Sequence, residues 1–391
     1  MFRRAYNIAD SARYISFRFQ ATTKPWRVAV AHPIPASPRA VYVTLHGFGT
    51  TAPTLFHLGL GNHLLRTQLN CYSGVVVLMK DSITIVTVPS EAGTHWGGQA
   101  KAPAALLGAG LIHKLELKGF DTKIVSALRE PHLWAPHPLN NGVRNEKGVL
   151  EVMQDVRATL LPVFSSDTVP VVIGGDCSIT PAVLSALSGP DSRRVGMIYF
   201  DGDVDLSLPT SENRPPDSDA CVLDSMVLTH LTGRRGGLSS IRDFLHLKHE
   251  GVAEALVTAS NTVLFGFDPE QPKPEHWLFL LENQFKAIGA PRVRESPVAA
   301  AAEALSWLEA RCDYILVHFD LDVVSSEQFP LGNYPHYGGL LFEEAMECLK
   351  KFMRSNKLAG LVVTEVNPGN DPGGRLVERL VDGIVDTFER D

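Results

Sequence analysis

The sequence predicts an α/β protein. It reads as a single three-layer domain over residues 81–391, built on a mostly parallel, doubly wound sheet and preceded by a basic extension over residues 1–80. Three observations carry this reading. Apolar runs at 169–173, 195–200, 263–267, 314–317 and 361–364 have the length and the β-branched or aromatic content of buried strands. Segments of helical apolar spacing alternate with them, as crossovers between parallel strands require. Each run hands over at its carboxyl end to an acidic or thiol residue, which is where open parallel sheets bind ligands.

Taken in order, residues 1–80 carry Asp10 as their only acid against nine Arg and Lys. Arg spaced among Tyr, Ile, Ser and Phe over the first 20 residues reads as an organelle transit peptide or, alternatively, as a basic extension packed on the core or a terminal tail. His46-Gly47-Phe48-Gly49 reads as a turn. A β-branched strand opens the regular fold at 83–88. Pro103 then starts a helix whose apolar face runs through Leu106, Leu107, Gly110, Leu111 and Leu115 to a stop at Gly119. A Pro- and Asn-rich loop (133–144) precedes a helix over 149–163. After the 169–173 strand, Ser178 or Thr180 is placed to cap a helix with Pro181 in its first turn. The loop over 207–220, rich in Pro, Ser and Asp, follows the 195–200 strand and its acids, at the mouth of any site there. Residues 376–388 follow helical spacing and cover the sheet.

Composition is globular, with 45% hydrophobic and 20% charged residues and a net charge of −7. That balance favours neither nucleic acid nor a membrane surface as partner. No apolar run reaches the roughly 18 residues of a transmembrane helix. Five scattered cysteines suit a reducing compartment, and no secretory signal is evident.

The chemistry gathers at the strand ends. Asp201, Asp203 and Asp205 alternate around Gly202 directly after the 195–200 strand. Such carboxylates repel one another unless protons or a cation neutralise them. A solvated acidic turn is the simpler reading of one such motif, but Asp320 and Asp322, Asp176 and Cys177, Glu365, and Asp268 repeat the pattern on the other strands. Convergent carboxylates of this kind point to a divalent metal.

The segments GGDCS (174–178), DGDVD (201–205), HFDLD (318–322) and EVNPGND (365–371), with GFDP (266–269) and YGGLLFEE (337–344) between them, resemble in order and spacing the arginase/agmatinase ureohydrolases. That family carries G-G-D-H-S/T, D-A-H-x-D, S-x-D-x-D and E-x-N-P-x-x-D. The resemblance spans residues 81 to 391 and implies an arginase-like fold. It also implies two divalent ions, most readily Mn²⁺, that share a water and attack a guanidine or amidine carbon through a metal-bound hydroxide. Residue by residue, the implied ligands are Cys177, Asp201, Asp203, Asp205, Asp320 and Asp322. Glu365 corresponds to the carboxylate that grips the guanidinium. Ser207 and Asp268 fall on substrate-binding segments, and Ala220 replaces a substrate-binding hydroxyl residue, which argues against arginine itself.

The departures are chemical. Cys177 and Asp203 replace both family histidines, and each adds a negative charge that weakens the Lewis acidity of the site. Oxygen ligands around Asp203 favour Mg²⁺ or Mn²⁺, whereas a Cys177 thiolate favours Zn²⁺ or Fe²⁺, so one ion or two unlike ions remain open. Cys177 also reads as a buried structural thiol. Asp224 stands where the family has its proton-shuttling histidine. Strand alternation puts His318 on the face of Asp320, as a metal ligand, a proton shuttle or a satisfied core histidine. His230 reads as a packing residue. The expectation is thus a metal-dependent amidinohydrolase of a small guanidino or amidino compound. The alternatives are a repurposed enzyme acting on a specialised metabolite and a catalytically silent ligand-binding homologue. The resemblance further implies a homotrimer or homohexamer. The compartment reads as cytoplasmic, or mitochondrial if the basic N-terminus is a transit peptide.

Overall fold

A computed structural model describes residues 81–137, 139–189, 194–209, 221–245 and 255–389, with the backbone of short strands in the first 80 residues. The chain forms two compact units, Met1–Lys80 and Asp81–Asp391. The turn read at His46–Gly49 and most of the transit-peptide reading lie outside the described residues.

The second unit is built on eight strands: β1 (Ser82–Thr87), β2 (Asp121–Ser126), β3 (Val169–Ile173), β4 (Val195–Phe200), β5 (Thr262–Phe265), β6 (Lys286–Ile288), β7 (Tyr314–Asp320) and β8 (Leu358–Thr364). Their order across the sheet is β2-β1-β3-β8-β7-β4-β5-β6, and every pairing is parallel. Alternation along each strand sends side chains to opposite faces. Ile85, Val171, Phe200, Val317 and Val363 join one apolar core, and Val86, Val172, Tyr199, Leu316 and Val362 the other. Helices Pro297–Glu309, Phe342–Met353 and Arg375–Thr387 close the first face, and Glu146–Phe164 and Thr180–Ser188 the second. The result is the expected three-layer, doubly wound architecture.

The structure departs from the sequence reading in local ways. The helix begun at Pro103 breaks into Ala102–Gly108 and Leu111–Leu117, because Gly110 takes a left-handed φ of 86°. The 133–144 loop contains a small hairpin pairing Leu139–Asn140 with Val143–Arg144. Neither Ser178 nor Thr180 caps the helix before Pro181. Asp176 instead accepts from the Ser178 amide and caps a short 3₁₀ turn, Cys177–Ile179, that feeds into the helix. Within the GGD run, a Cβ on Gly175 would come within 1.6 Å of the Ser90 carbonyl oxygen, so only glycine fits there. Among the described residues no helix is long and apolar enough to cross a membrane.

Candidate metal centre

The site is assembled at the carboxyl ends of β3, β8, β7 and β4, which are neighbours in the sheet. Two D-x-D turns at the ends of β4 and β7 have the same local construction. Asp201 Oδ1 accepts from the Asp203 amide (2.7 Å), and Asp320 Oδ1 accepts from the Asp322 amide (2.8 Å). Each bond holds its turn and leaves the Oδ2 atom to face inward. Asp320 Oδ2 receives the Cys177 thiol at 2.5 Å. Asp201 Oδ2 is buried without a hydrogen-bond partner among the described residues and lies 3.4 Å from His318 Nε2.

Candidate donor atoms of Cys177, Asp201, His318 and Asp320 all lie within 4.8 Å of one another. All four residues are buried, and His318 is fully so. Burial, reinforced by Asp322, pushes the Asp201 and Asp320 carboxyls well above the ordinary range. Burial and then Asp320 do the same for the Cys177 thiol, so without a cation the thiol keeps its proton. Burial lowers the His318 pKa to about 3. The ring is therefore neutral, and its approach to Asp201 is not an ion pair.

The remaining expected ligands lie around this cluster and have other partners. Asp203 Oδ1 accepts from the Val204 amide at 2.6 Å. Asp205, at a left-handed φ of 41°, accepts a short hydrogen bond from the Tyr199 hydroxyl. Asp322 Oδ1 accepts from the Gly202 amide, and its Oδ2 lies 3.3 Å from His336 Nε2. His336 is the site residue that sequence reasoning missed. It is buried, and its ring lies against Gly202, where a Cβ would sit 3.0 Å from His336 Cδ2. Burial works against its charge, but Asp322, with Asp203 and Asp201 behind, raises its pKa to about 9. Burial acts to raise the Asp322 carboxyl, but His336 together with hydrogen bonds at Gly202 and Asp320 holds it below the ordinary range. The available signal was Gly202, which stands where the D-A-H-x-D pattern has alanine.

Glu365 lies at the end of β8 with a left-handed φ of 62°, a strained conformation for a residue with a side chain. Its Oε1 accepts from the Cys177 amide and its Oε2 from Gln99 Nε2, both at 2.9 Å. The Gln99 segment is in turn held by buried Glu91, which accepts from the amides of Gly98, Ala100 and Trp134. Asp224 Oδ1 accepts from the Ser225 amide, and burial followed by Asp176 raises its carboxyl well above the usual range. Ser207 is half-buried with both main-chain groups bonded, its amide to Ser225 and its carbonyl to Thr229. The Asp268 carboxylate accepts from the Glu270 amide in a turn and packs on Gly338. His230 packs as read, with Nδ1 on the Met226 carbonyl and Nε2 accepting from the Leu238 amide. Ala220 lies outside the described residues.

Fold and site together define an open parallel α/β protein with a buried cluster of acid, thiol and imidazole at the carboxyl edge of its sheet. A family model of the arginase family matches residues 81–387, and the chain belongs to that family. Arginase from Staphylococcus aureus (strain COL) is 25% identical over 311 residues, covering 78% of this chain and 96% of that protein. Among solved structures, arginase from Bacillus caldovelox superposes with a TM-score of 0.68 at 21% identity, covering 79% of this chain and 99% of that one. Proclavaminate amidino hydrolase from Streptomyces clavuligerus does so with a TM-score of 0.56 at 20% identity, covering 78% and 91%.

Proposed function

We propose that the protein hydrolyses a linear C–N bond in a small guanidino or amidino compound other than arginine, using a divalent ion held at the strand-end cluster. The observation that carries this reading is Asp201 Oδ2, a buried carboxylate oxygen with no hydrogen-bond partner among the described residues, set among a thiol, an imidazole and a second carboxylate. Leaving such an atom unsatisfied costs on the order of 1–3 kcal/mol, and more when it is charged, a cost that a bound cation removes. Cys177, Asp201 and Asp320 would hold the ion, with Asp203, Asp205 and Asp322 of the family pattern around them. A divalent ion bound there activates water for attack near neutral pH.

The chain's own residues supply the rest. Glu365 is fixed in orientation by Cys177 and Gln99, so its carboxylate presents its remaining lone pairs to the two N–H groups of a guanidinium or amidinium. Asp224, whose carboxyl burial and Asp176 push well above the usual range, is the group placed to pass a proton to the departing amine. Trp96 and Tyr334, both partly exposed, stack at 6.1 Å. Asn333 links them to the site: its Nδ2 donates to the Trp96 carbonyl and its amide to the Glu365 carbonyl. Aromatic faces suit an apolar, aromatic or cationic tail better than the amino and carboxylate groups of arginine, which supports a different substrate. The same reading includes a homo-oligomer and a cytoplasmic location, with the mitochondrion as the alternative.

The test is to load the purified protein with Mn²⁺ or Zn²⁺, desalt it, and assay urea, ammonia and amine release from alkyl and aryl guanidines, amidines and arginine. Release from compounds other than arginine is expected. Turnover of arginine alone sinks the substrate assignment. Tight metal without turnover of any compound replaces the hydrolase with a ligand-binding member of the family.

A further inference from the structure

We propose that His318 is itself a metal ligand, and that Cys177, Asp201, His318 and Asp320 hold a single borderline-soft ion, zinc or ferrous iron rather than a manganese pair. This rests on the reading above that the cluster binds metal. It assigns Nε2 of His318 the place left by the histidine that Cys177 replaces, so the imidazole comes from β7 instead of from the turn after β3.

The distances suit one ion. A tetrahedral site with metal–donor bonds of about 2.0–2.3 Å has edges of about 3.3–3.8 Å between donors. His318 Nε2 lies 3.4 Å from Asp201 Oδ2 and 3.6 Å from Cys177 Sγ. The 2.5 Å separation of Cys177 Sγ from Asp320 Oδ2 is shorter than such an edge, with the thiol turned towards the carboxylate. Binding an ion there would release the Cys177 thiol proton to solvent and would require the sulfur and oxygen to separate by about 1 Å.

The histidine is also oriented as metal ligands are. Nδ1 lies 3.0 Å from Thr180 Oγ1, which leaves Nε2 directed at the cluster. The ring stacks on Tyr199 with centroids 4.5 Å apart and planes 15° from parallel. With Nδ1 bonded to the Thr180 hydroxyl as donor, the Nε2 lone pair is left for the cluster. Thiolate and imidazole in one shell select zinc, iron or cobalt over manganese.

The surrounding acids argue against a second ion. Asp203 is bonded to the Val204 amide, Asp205 to Tyr199, and Asp322 lies against His336. Asp322 has both oxygens engaged, the other by the Gly202 amide, whereas Asp201 Oδ2 has no hydrogen-bond partner among the described residues. Four protein donors fill a tetrahedral shell, so hydrolysis needs a fifth position or the release of one carboxylate. Metal binding and turnover can therefore be tested separately.

The experiment loads the full chain with Co²⁺ and reads metal stoichiometry, the near-ultraviolet thiolate-to-cobalt charge-transfer band and the paramagnetically shifted proton spectrum. One cobalt per chain is expected, with the charge-transfer band and a shifted, exchangeable imidazole N–H resonance. Cys177→Ser should abolish the band, and His318→Asn should weaken cobalt binding at least tenfold and remove the shifted N–H. His318 is buried and its variant is at risk of misfolding, so the N–H resonance of the unmodified protein is the decisive reading. Absence of that resonance from the cobalt protein overturns the assignment. Two manganese ions per chain, with turnover and no thiolate band, also overturn it while leaving the hydrolase reading intact. The cobalt signals without release of urea or ammonia from any compound uphold it and sink the hydrolase reading. Failure to bind any metal sinks both.

Discussion

The inner and outer halves of the site differ in how their charges are satisfied. In the inner half, Cys177, Asp201, His318 and Asp320 converge, and one carboxylate oxygen has no hydrogen bond among the described residues. In the outer half, Asp203, Asp205 and Asp322 are each engaged by an amide, a phenol or an imidazole. Both halves derive from the same D-x-D turn on adjacent strands. The difference lies in what the neighbouring segments bring. Motif identity therefore locates the acids, but the partners decide which of them still need a cation.

The largest effect should come from the inner half. Asp201→Asn removes the unpaired carboxylate, and metal binding should weaken by roughly a hundredfold or more, read by elemental analysis after desalting. The metal-free variant should unfold at a higher temperature than the metal-free parent, because an uncompensated buried acid is gone. Undiminished metal content would remove Asp201 from the site.

His336→Ala breaks the outer half. It leaves Asp322 buried beside no imidazole, and urea unfolding without metal should show a loss of about 3–5 kcal/mol. Added Mn²⁺ should recover part of that loss in the variant and do little for the parent. Equal recovery in both would mean that the outer half binds an ion even with His336 in place.

His230 serves as a control, buried like His318 but with both ring nitrogens bonded to main chain. Burial lowers its pKa to about 4 from an ordinary 6.5. Between those values the unfolded chain takes up a proton that the folded chain refuses, so stability is lost as pH falls from about 6.5 to about 4. The span corresponds to at most roughly 3 kcal/mol. His230→Asn should remove that contribution to the acid slope, with or without metal. A contribution that vanishes only when metal is bound would mean that it belongs to the cluster.

The smallest effect is expected from Tyr199→Phe, which removes the phenol from Asp205 and should cost about 1 kcal/mol. Freed from that bond, Asp205 should then tighten metal binding slightly. A change in metal affinity in the opposite direction would place the phenol on the side of the ion.

Much of this was legible in the sequence. Continuous apolar runs ending in acids gave the central strands, their order of chemistry and the face on which His318 sits. The edge strand Asp121–Ser126 escaped because it is largely exposed and carries no apolar run. Lys286–Ile288 escaped because three residues are too few to show a period. His336 lies in a loop, where no spacing signals burial, and only the tertiary approach of that loop to Gly202 gives it Asp322 as a partner. The Tyr199–Asp205 bond likewise depends on the chain turning back after β4. The capping expectation failed for a local reason: the chain already turns at Cys177–Ile179, with Asp176 accepting from the Ser178 amide, so Ser178 and Thr180 lie inside helical turns.

The strand order also bears on how the protein reaches its native state. β8, the strand latest in sequence, is paired between β3 and β7 in the middle of the sheet. Until it inserts, β3 and β7 present bare strand edges, one to each side of a gap, and Glu365 cannot reach Cys177 or Gln99, which lie 188 and 266 residues away in sequence. Such distant closures are slow to form, and the central pairings of the sheet cannot be made until the last strand is available. The site is complete only once β8 is in place, because Glu365 at its end joins Cys177 and Gln99.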